Sequence, residues 1–569
     1  MQPSMDQPVG ASGNGRLLRR YGPVAAVVVV VGLVAGIVAS SGSSSKKAAV
    51  SSTTSTTTAS SQNTGVLSFS QATKKGLHID FGPTCDPATG RVAMPDPFAP
   101  ECYAPVANNG GATAPGVTGS TINIVVYESQ PDDPVLKYVT SAIADTDTPA
   151  NTEATYRGYI KLFEHFYQTY GRKVNLEVLH ASGLSTDEVA ARADAVKAAT
   201  QLNAFAVWGG PVLTPAWADE LAARHVICLS CAGGNTPDWF AQRPYVFPIG
   251  ELAQQLETHL IEYLSKEVAG RPAAHAGDPA LAAKTRKFGL LYISTDPTSQ
   301  TVANDFATKM AAKGSPIAEL VPYTLDPARL QEEAASAIVK LKAAGVTSVV
   351  FSGDPVAPAT FTKEATAQNY FPEWIITGSA LVDTTAFART YDQRQWAHAF
   401  GISALTARVQ ESVSGSYYLY QWALGTPPPA SVSSGVIYPQ PALFYAALQA
   451  AGPDLTPDTF RQALFSGPPG KEAITTPTIT FGNHGIWPYT DFSGIDDATE
   501  IWWNPTATGP DEVRRTAPGM YEYVDGGKRY MPGQWPTRDT TAFALTGAVT
   551  IYDQPPPGEQ AKSYPSPGL

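Results

Sequence analysis

Short runs of apolar residues recur along the chain and alternate with longer segments that have helical periodicity. Each run is five or six residues long, rich in β-branched or aromatic residues, and without polar alternation. This pattern is typical of strands buried on both faces, and strands of this kind separated by helices predict a parallel α/β sheet. The runs are Ile122–Val126, Ala204–Trp208, His225–Leu229, Phe288–Ile293 and Thr347–Phe351.

The segments between these runs predict helices that complete two α/β units. Thr155–Tyr170 places Tyr159, Leu162 and Phe163 at helical spacing, and we expect the polar stretch before it to be an insertion. A second series of strands and helices begins at Phe288, which predicts two doubly wound lobes that face each other. Ligands of parallel sheets bind beyond the carboxyl ends of the strands, so the residues that follow each run are the candidates for function.

The N-terminal part of the chain has the pattern of an export or anchoring signal. Arg16, Arg19 and Arg20 precede an apolar run from Val24 to Ala39, and a positive flank before a hydrophobic segment orients the following chain outward. As a helix the run is roughly 24 Å long, shorter than the ~30 Å hydrocarbon core. A retained anchor and a cleaved signal are therefore both open, and the anchor is favoured.

This pattern predicts an extracytoplasmic protein that is anchored by its N-terminal helix, or secreted after cleavage. The expected segments are a cytoplasmic basic N-terminus (1–23), a transmembrane anchor or signal segment (24–41) and a disordered Ser/Thr-rich stalk (42–65).

Composition narrows the class of protein. Only 16% of the 569 residues are charged, and the net charge of −11 is spread along the chain with no basic patch. The sequence therefore predicts no nucleic-acid partner. The chain is also longer than one hydrophobic core usually supports, which agrees with two or more lobes.

The four cysteines fit an oxidising, extracytoplasmic setting. Cys85 and Cys102 flank a proline-rich loop, and we expect them to form a disulfide. Cys228 and Cys231 form a CxxC pattern at the end of a predicted strand, three residues after His225. The alternatives are a redox pair, half of a metal site, and two residues that pack and bridge at a strand end. The last is favoured because a glycine turn follows instead of a helix, and no second Cys/His pair completes a zinc site.

Sequence motifs of common enzyme classes are missing: GxSxG, HExxH, GxxxxGK[ST] and the Rossmann GxGxxG. Asp132–Asp133 and Asp496–Asp497 are adjacent carboxylates. They fit turns better than a shared acid–base role, because neighbours in a strand point to opposite faces. We therefore expect neither catalytic residues nor a metal or cofactor.

The order of several motifs resembles a known family. They are the opening strand STINIVVYES, the turn YGRKVNLEVL, the pair AVWGGPVLTPAW and HVICLSCAGGNTP, the crossing RPYVFPI, and LKAAGVTSVVFSGDPVAPATFTKEATAQNYFPEWIITGS. From about Thr118 to Pro536 the chain resembles type I periplasmic-binding proteins, and among them the branched-chain-amino-acid-type substrate-binding proteins of ABC transporters. Its C-terminal segment resembles the tails of actinobacterial members, and we expect strands there to pair around the turn Asp525-Gly526-Gly527.

The resemblance implies an α/β fold of two doubly wound parallel-sheet lobes joined by a multi-strand hinge. In this family a ligand lies between the lobes, which close over it. The expected segments are a loop-rich region (66–118), lobe 1 (119–248 and 378–478), lobe 2 (249–377 and 479–540) and a Pro-rich C-terminal tail (541–569).

The resemblance also places candidate ligand-binding residues in the loops after the strands. In lobe 1, Thr214 is expected either to cap its helix or to hold an anionic ligand at the helix N-terminus, and Ser230 has a similar choice between a turn and a ligand. In lobe 2, Asp354 follows a strand near the place where relatives hold a ligand's ammonium group. The relatives' Tyr-Gly pair is replaced by a stretch that begins at Asp296, which speaks against an α-amino acid as the ligand. The candidates are Tyr127, Glu128, Gly210, Thr214, Ser230, Cys231, Ala232, Asp296, Thr298 and Asp354.

Taken together, these patterns predict a non-catalytic, extracytoplasmic solute-binding protein. Its expected partners are a small molecule, the permease of an ABC importer, and the membrane through the N-terminal segment. A membrane-anchored ligand sensor with the same fold is the alternative, and an exported enzyme on an α/β scaffold is less favoured.

Overall fold

The computed structural model describes residues 66–211, 213–231, 236–294 and 297–569, and of Pro297 and Thr298 it describes the backbone only. The predicted basic N-terminus, anchor or signal segment and stalk lie outside these ranges and stay predictions. Within the described ranges, no helix combines the length and the apolar character that crossing a membrane requires.

The first described segment packs on lobe 1 as a small cap. It contains helix α1 (Phe69–Lys74) and a short antiparallel pair of strands, β1 (Cys85–Asp86) and β2 (Arg91–Val92). The predicted disulfide Cys85–Cys102 is present, with its Cα atoms 5.9 Å apart. The cap is not a free loop, because several of its apolar side chains join the core of lobe 1: Val92, Met94 and Ala99.

Lobe 1 is built on a parallel sheet of five strands, which are β3 (Thr121–Glu128), β4 (Lys173–His180), β5 (Ala206–Trp208), β6 (Ile227–Leu229) and β7 (Val246–Phe247). Their order across the sheet is β4-β3-β5-β6-β7. In the register of the central strand, Ile124 lies opposite Leu176 on one side and Ala206 on the other. The inner strands are buried on both faces, as their apolar runs predicted.

Five helices follow the strands of lobe 1: α2 (Pro134–Ala142), α3 (Pro149–Phe166), α4 (Glu188–Thr200), α5 (Ala216–Ala223) and α6 (Pro237–Ala241). Helix α3 begins six residues before the predicted start at Thr155. The hydroxyl of Thr148 accepts from the backbone N–H of Asn151 and caps this earlier start. The insertion before it contains α2, which the sequence analysis did not predict.

Lobe 2 contains a second parallel series, β8 (Phe288–Ile293), β9 (Ile317–Tyr323), β10 (Ser348–Ser352), β11 (Glu373–Ile376) and β12 (Ala399–Ser403). The order is β9-β8-β10-β11-β12. Strand β12 pairs in parallel with β11 and is fully buried. Strand β12 lies in the range 378–478, which was expected in lobe 1. For β12 this was wrong, because its pairing with β11 places it in the sheet of lobe 2.

The helices that surround this sheet are α7 (Ala253–Tyr263), α8 (Pro279–Ala282), α9 (Pro297–Ala312), α10 (Leu330–Ala343), α11 (Ala357–Ala367), α12 (Thr385–Ala388) and α13 (Gln393–Trp396). A π-helical turn, Leu264–Val268, continues α7, and a 3₁₀ turn covers Ser379–Leu381.

After β12 the chain returns to lobe 1 and forms α14 (Gly415–Leu424), α15 (Ser434–Ile437), α16 (Pro439–Ala451) and α17 (Pro457–Ser466). These helices pack against α3 through aromatic rings. The ring centroids of Tyr159 and Tyr420 are 5.1 Å apart, and those of Phe163 and Tyr445 are 5.5 Å apart. The part of 378–478 that belongs to lobe 1 is therefore this helical part.

The remaining strands are β13 (Arg408–Val409), β14 (Ala498–Pro510), β15 (Thr516–Tyr523), β16 (Arg529–Tyr530) and β17 (Ile551–Tyr552). Strand β14 runs antiparallel to β12, and both β15 and β16 pair antiparallel with β14. The turn predicted at Asp525-Gly526-Gly527 does not join two paired strands. Asp525 adopts a left-handed φ of +50° in a 3₁₀ turn, after which the chain continues along β14 in the same direction. The hairpin turn lies instead between β14 and β15.

The C-terminal tail runs from lobe 2 to lobe 1. Val549 pairs with Tyr523 of β15, and β17 pairs with β13. Further on, the Lys562 ammonium and the Tyr564 hydroxyl donate to the same carboxylate oxygen of Asp86 in the cap, at 2.7 and 2.8 Å. The tail therefore contacts both lobes.

Candidate ligand-binding site

The chain passes between the two sheets three times, through residues 248–252, 404–414 and 467–497. We call these three crossings the hinge. Arg529 of β16 ties two of them together. Its guanidinium donates to the carbonyl oxygens of Ala404 and Leu405 at 2.8 and 2.7 Å, and to the carboxylate of Asp497 at 2.8 Å. The carboxyl ends of both parallel sheets lie next to these crossings, where a ligand of an α/β protein is expected.

Tyr127 and Glu128 end the central strand of lobe 1, and their side chains contact lobe 1 itself. The ring of Tyr127 packs on Trp217, with centroids 4.7 Å apart. A carboxylate oxygen of Glu128 lies 2.7 Å from Nδ1 of His180. Burial raises the pKa of the Glu128 carboxyl, against the opposing effect of the neighbouring imidazole. Both residues therefore shape the edge of the sheet.

Gly210 and Thr214 lie in the loop between β5 and α5. A Cβ atom on Gly210 would come within 2.4 Å of Cδ1 of Trp217, so only glycine lets the indole approach this closely. The hydroxyl oxygen of Thr214 is buried and accepts from the N–H of Ala216 at 3.2 Å. This bond is a turn contact at the start of α5, whose N-cap position is Pro215 and has no side-chain cap.

Ser230 and Cys231 follow β6. Ser230 has a left-handed φ of +56°, and its N–H donates to the carbonyl of Phe247 at 3.0 Å. Cys231 is bonded to Cys228, with Cα atoms 5.6 Å apart, and is fully buried. The favoured interpretation of the CxxC pattern, a bridged pair at a strand end, is confirmed. The bridge closes a tight turn that fixes the direction of the loop after β6.

Asp354 follows β10 in lobe 2 and is buried. One carboxylate oxygen accepts from the N–H groups of Val356 and Ala357, both at 2.9 Å, and the other accepts from the Tyr323 hydroxyl at 2.8 Å. Burial raises the pKa of this carboxyl. Asp354 therefore stabilises the start of α11 and is fully engaged by its own lobe.

Three predicted site residues, Ala232, Asp296 and Thr298, are not among the side chains that the structure describes. The described candidates group by lobe: Tyr127, Glu128, Gly210, Thr214, Ser230 and Cys231 lie at the edge of the first sheet, and Asp354 lies at the edge of the second.

Helix α2 connects the two edges. It leaves lobe 1 after β3, yet Leu136 and Val139 are buried in the same core cluster as Leu291 and Ile293 at the end of β8. Burial, with a smaller contribution from the Asp354 carboxylate, raises the pKa of Tyr138. An element of lobe 1 therefore forms part of the surface of lobe 2 at the cleft.

The sequence analysis missed this helix, although its signals were present. Asp133 precedes a proline, and its carboxylate accepts from the N–H groups of Val135 and Leu136 at 2.9 and 3.0 Å. An aspartate at the N-cap with proline at the first helical position is a start signal. Leu136 and Val139 then repeat at a spacing of three, as one face of a helix requires.

A family model described as periplasmic binding protein matches residues 134–487, which is more than half of the chain. The chain belongs to the periplasmic binding protein family. No curated protein matches it. As a member of this family, the protein is a non-catalytic solute-binding protein.

Solved structures of ABC transporter binding proteins are also similar to this periplasmic binding protein. One is a solute-binding protein from Rhodopseudomonas palustris in complex with 4-hydroxybenzoate, at 12% identity over 73% of this chain and 99% of that chain, with a TM-score of 0.47. Another is the branched-chain amino acid transporter substrate-binding protein LivJ from Streptococcus pneumoniae in complex with isoleucine, at 13% identity over 71% and 100%, with a TM-score of 0.47. A third is a branched-chain amino acid ABC transporter periplasmic ligand-binding protein from Burkholderia xenovorans, at 12% identity over 72% and 96%, with a TM-score of 0.49.

The hinge of this periplasmic binding protein contains buried acids that the sequence analysis treated as turn residues. Asp496 accepts from the hydroxyl of Thr480 and from the indole N–H of Trp487, both at 2.7 Å. Burial raises the pKa of Asp496 and of its neighbour Asp491, so this pair favours holding a proton. Burial lowers the pKa of the nearby His259 to about 4, which keeps that imidazole neutral.

Proposed function

We propose that this protein captures a small solute in the cleft between its lobes and delivers it to the permease of an ABC importer. The observation that carries the proposal is the division of one chain into two parallel-sheet lobes, each with its own core, linked by three crossings. Two such bodies can rotate about the hinge, and a ligand that contacts both favours the closed arrangement by its differential affinity for it.

The proposed site lies at the carboxyl edges of the two sheets. In lobe 1 it comprises the loops that contain Gly210, Thr214 and Ser230. Ser230 is half-buried, and its hydroxyl caps none of the described helices. The fixed turn at Cys228–Cys231 supports this site, because a bridged loop loses less conformational freedom when a ligand orders it.

The ligand that we propose is not an α-amino acid held through its ammonium group by Asp354. That carboxylate accepts hydrogen bonds from its own helix and from Tyr323, and it is 1% exposed. A ligand would have to displace these bonds and uncover a buried acid, which costs more than a free carboxylate would.

We propose further that the N-terminal segment 24–41 anchors the protein to the extracytoplasmic face of the membrane, with 42–65 as a stalk. The arginines before the apolar run support this orientation. Membrane fractionation of the full-length chain tests it: the protein should remain in the membrane fraction after a carbonate wash, whereas a soluble protein that starts after Ala39 would show a cleaved signal.

A thermal-shift screen of the chain from residue 66 onward tests the binding function. The panel should contain amino acids, amides, aromatic acids and small peptides. A ligand at 100 times its dissociation constant should add about 2.7 kcal/mol to the free energy of unfolding. Ser230→Ala should weaken binding of the compound found without lowering the melting temperature of the free protein. A broad panel with no stabilising compound would contradict the proposal.

A further inference from the structure

A pocket opens on one face of the first sheet, between α3 and the α15–α16 region. It is lined by the ends of β3 and β5, by β4, and by the first turns of α3. Neither Thr214, Ser230 nor Asp354 lines it, but Tyr127 and Glu128, two of the residues predicted to bind the cleft ligand, do. The lining residues that matter below are Glu128, Thr152, Glu153, Tyr156, Trp208 and Gln440.

Two polar groups of this pocket have no hydrogen-bond partner among the described residues. They are the indole Nε1–H of Trp208, whose side chain is fully buried, and the hydroxyl of Thr152, which is also buried. A buried donor without an acceptor costs free energy, and native structures rarely leave one unsatisfied. A molecule in the pocket that accepts one hydrogen bond and exchanges another would satisfy both groups.

The charges and rings of the lining favour a positively charged guest. Glu128 and Glu153 line the pocket, and none of its lining residues is lysine, arginine or histidine. The basic side chains beside these acids, His180 and Arg157, lie outside the lining and contact one carboxylate oxygen each.

Aromatic rings add to this attraction. The rings of Tyr156 and Trp208, 5.6 Å apart between centroids, stand beside the acids, and Tyr127 lines the same pocket. Aromatic rings together with carboxylates attract organic cations.

We propose that this pocket is a second binding site, for a small organic amine that also carries a hydroxyl group. The ammonium group lies between the carboxylates of Glu128 and Glu153 and the aromatic rings. The hydroxyl oxygen accepts from Trp208 Nε1–H and pairs with the Thr152 hydroxyl. The pocket is small, which limits the guest to a few heavy atoms.

Isothermal titration of the full-length protein with 2-aminoethanol tests the proposal. Three probes of similar size separate its parts: ethylamine lacks the hydroxyl, ethylene glycol lacks the charge, and glycolate reverses it. 2-Aminoethanol should bind at least about tenfold more tightly than ethylene glycol, because hydrogen bonds to charged groups are the stronger ones. Glycolate should not bind. Equal binding of glycolate, or no binding of 2-aminoethanol, would overturn the proposal.

Variants locate the binding. Thr152→Val keeps the shape of the side chain and should weaken 2-aminoethanol roughly fivefold, and Glu128→Gln should weaken it roughly tenfold or more. The matched control is Glu188→Gln, an exposed acid in the first turn of α4, which should change nothing.

A crystal soaked with 2-aminoethanol supplies a readout that does not depend on the variants' stability. Density for the amine beside Trp208 supports the site. Ordered water alone at that place, or unchanged affinity in both pocket variants, would overturn it.

Discussion

The two lobes share a parallel α/β plan but bury charge differently. In lobe 2 the guanidinium of Arg286 makes two hydrogen bonds to the carboxylate of Glu373, at 2.8 and 2.9 Å, and both side chains are almost fully buried. Every described ion pair of lobe 1 has at least one side chain that is more than a fifth exposed. Its one buried arginine, Arg172, donates to backbone carbonyls instead, including those of Thr118 and Pro453.

This difference indicates how each lobe tolerates change. Lobe 1 relies on apolar and aromatic packing between α3 and the returning helices, where the loss of one contact is shared among many neighbours. Lobe 2 holds a full ion pair in its interior, and within that pair the Glu373 carboxylate has Arg286 as its cationic partner. Removing that partner leaves an uncompensated buried charge, which is far more costly than the pair itself is favourable.

The largest effect is expected from Arg286→Met. Glu373 would keep only the Ser348 hydroxyl at 2.6 Å and the N–H of His275 at 3.1 Å as donors. A buried carboxylate that loses its guanidinium should lower the free energy of unfolding by about 3–5 kcal/mol. Urea denaturation followed by far-ultraviolet circular dichroism measures this loss.

Two further variants give that experiment its controls. Arg157→Met in lobe 1 breaks an exposed pair with Glu153 and should cost less than about 1 kcal/mol. Arg286→Met combined with Glu373→Met removes both charges and should recover much of the stability. If Arg286→Met and Arg157→Met cost the same, the contrast between the lobes is wrong.

The second effect concerns the cap, which exists only on lobe 1. Replacing both Cys85 and Cys102 by serine opens a loop whose ends are 17 residues apart. Loop-closure entropy predicts a loss of about 3 kcal/mol. Thermal unfolding of the variant and of the native protein under non-reducing conditions compares the two. An unchanged melting temperature would show that the cap is held by its packing on lobe 1 alone.

A third variant tests the edge of the first sheet. Gly210→Ala drives a Cβ atom to within 2.4 Å of Trp217, which is itself fully buried. Overpacking of this kind should cost about 1–3 kcal/mol. It should also weaken any cleft ligand, because the loop that carries Thr214 must shift.

Gly435→Ala is the matched control for this change. No atom lies within 4 Å of the added Cβ there, and the residue is in helix α15. The substitution should be neutral or stabilise by up to about 1 kcal/mol. Equal losses at both positions would point to a general cost of alanine and not to the contact with Trp217.

The last expected effect is a dependence of stability on pH that originates at the hinge. Burial raises the pKa of Asp496 from 3.8 to about 8 in the folded protein, so the folded state binds this proton more tightly than the unfolded chain does. Its contribution is fully present below pH ~4 and is lost as the pH rises towards 8.

His259 has the opposite effect. Burial lowers its pKa to about 4, so its contribution is present above pH ~6.5 and is lost as the pH falls through 4. Between pH 5 and pH 8, the free energy of unfolding from urea denaturation should therefore decline less in Asp496→Asn than in the native protein, by about 3–4 kcal/mol. Parallel profiles of the two proteins would exclude Asp496 as the cause.

The sequence predicted the inner strands well, because a strand buried on both faces must be apolar throughout. The runs ending at Trp208, Leu229 and Ile293 are strands where they were expected. Such a run does not determine which neighbouring strands it pairs with. Ala399–Ser403 joins the sheet of lobe 2 through pairing with β11 and β14, and local periodicity does not determine which edge a strand adopts.

The candidate site was harder to predict, since each side chain has a local and a ligand-binding use that look alike in sequence. Thr214 bonds its own helix, and Asp354 bonds α11 and Tyr323. Asp525 was predicted to lie in a hairpin turn, but its left-handed backbone lies in a 3₁₀ turn between β15 and β16, which both pair with β14. Helix α2 crosses to the other lobe, a long-range contact that no local pattern encodes.

The C-terminal tail is a further connection between the two lobes, outside the hinge. Between the strand at Tyr552 and the contact of Lys562 with Asp86, Pro555 and Pro556 are buried, and Glu559 accepts from the N–H groups of Ile474 and Thr475 in the third crossing. Residues 553–561 can extend to roughly 30 Å at about 3.3–3.6 Å per residue. The extended length of this segment limits how far the two lobes can move apart at the cleft. Shortening it by a few residues should therefore shift the population towards the closed conformation.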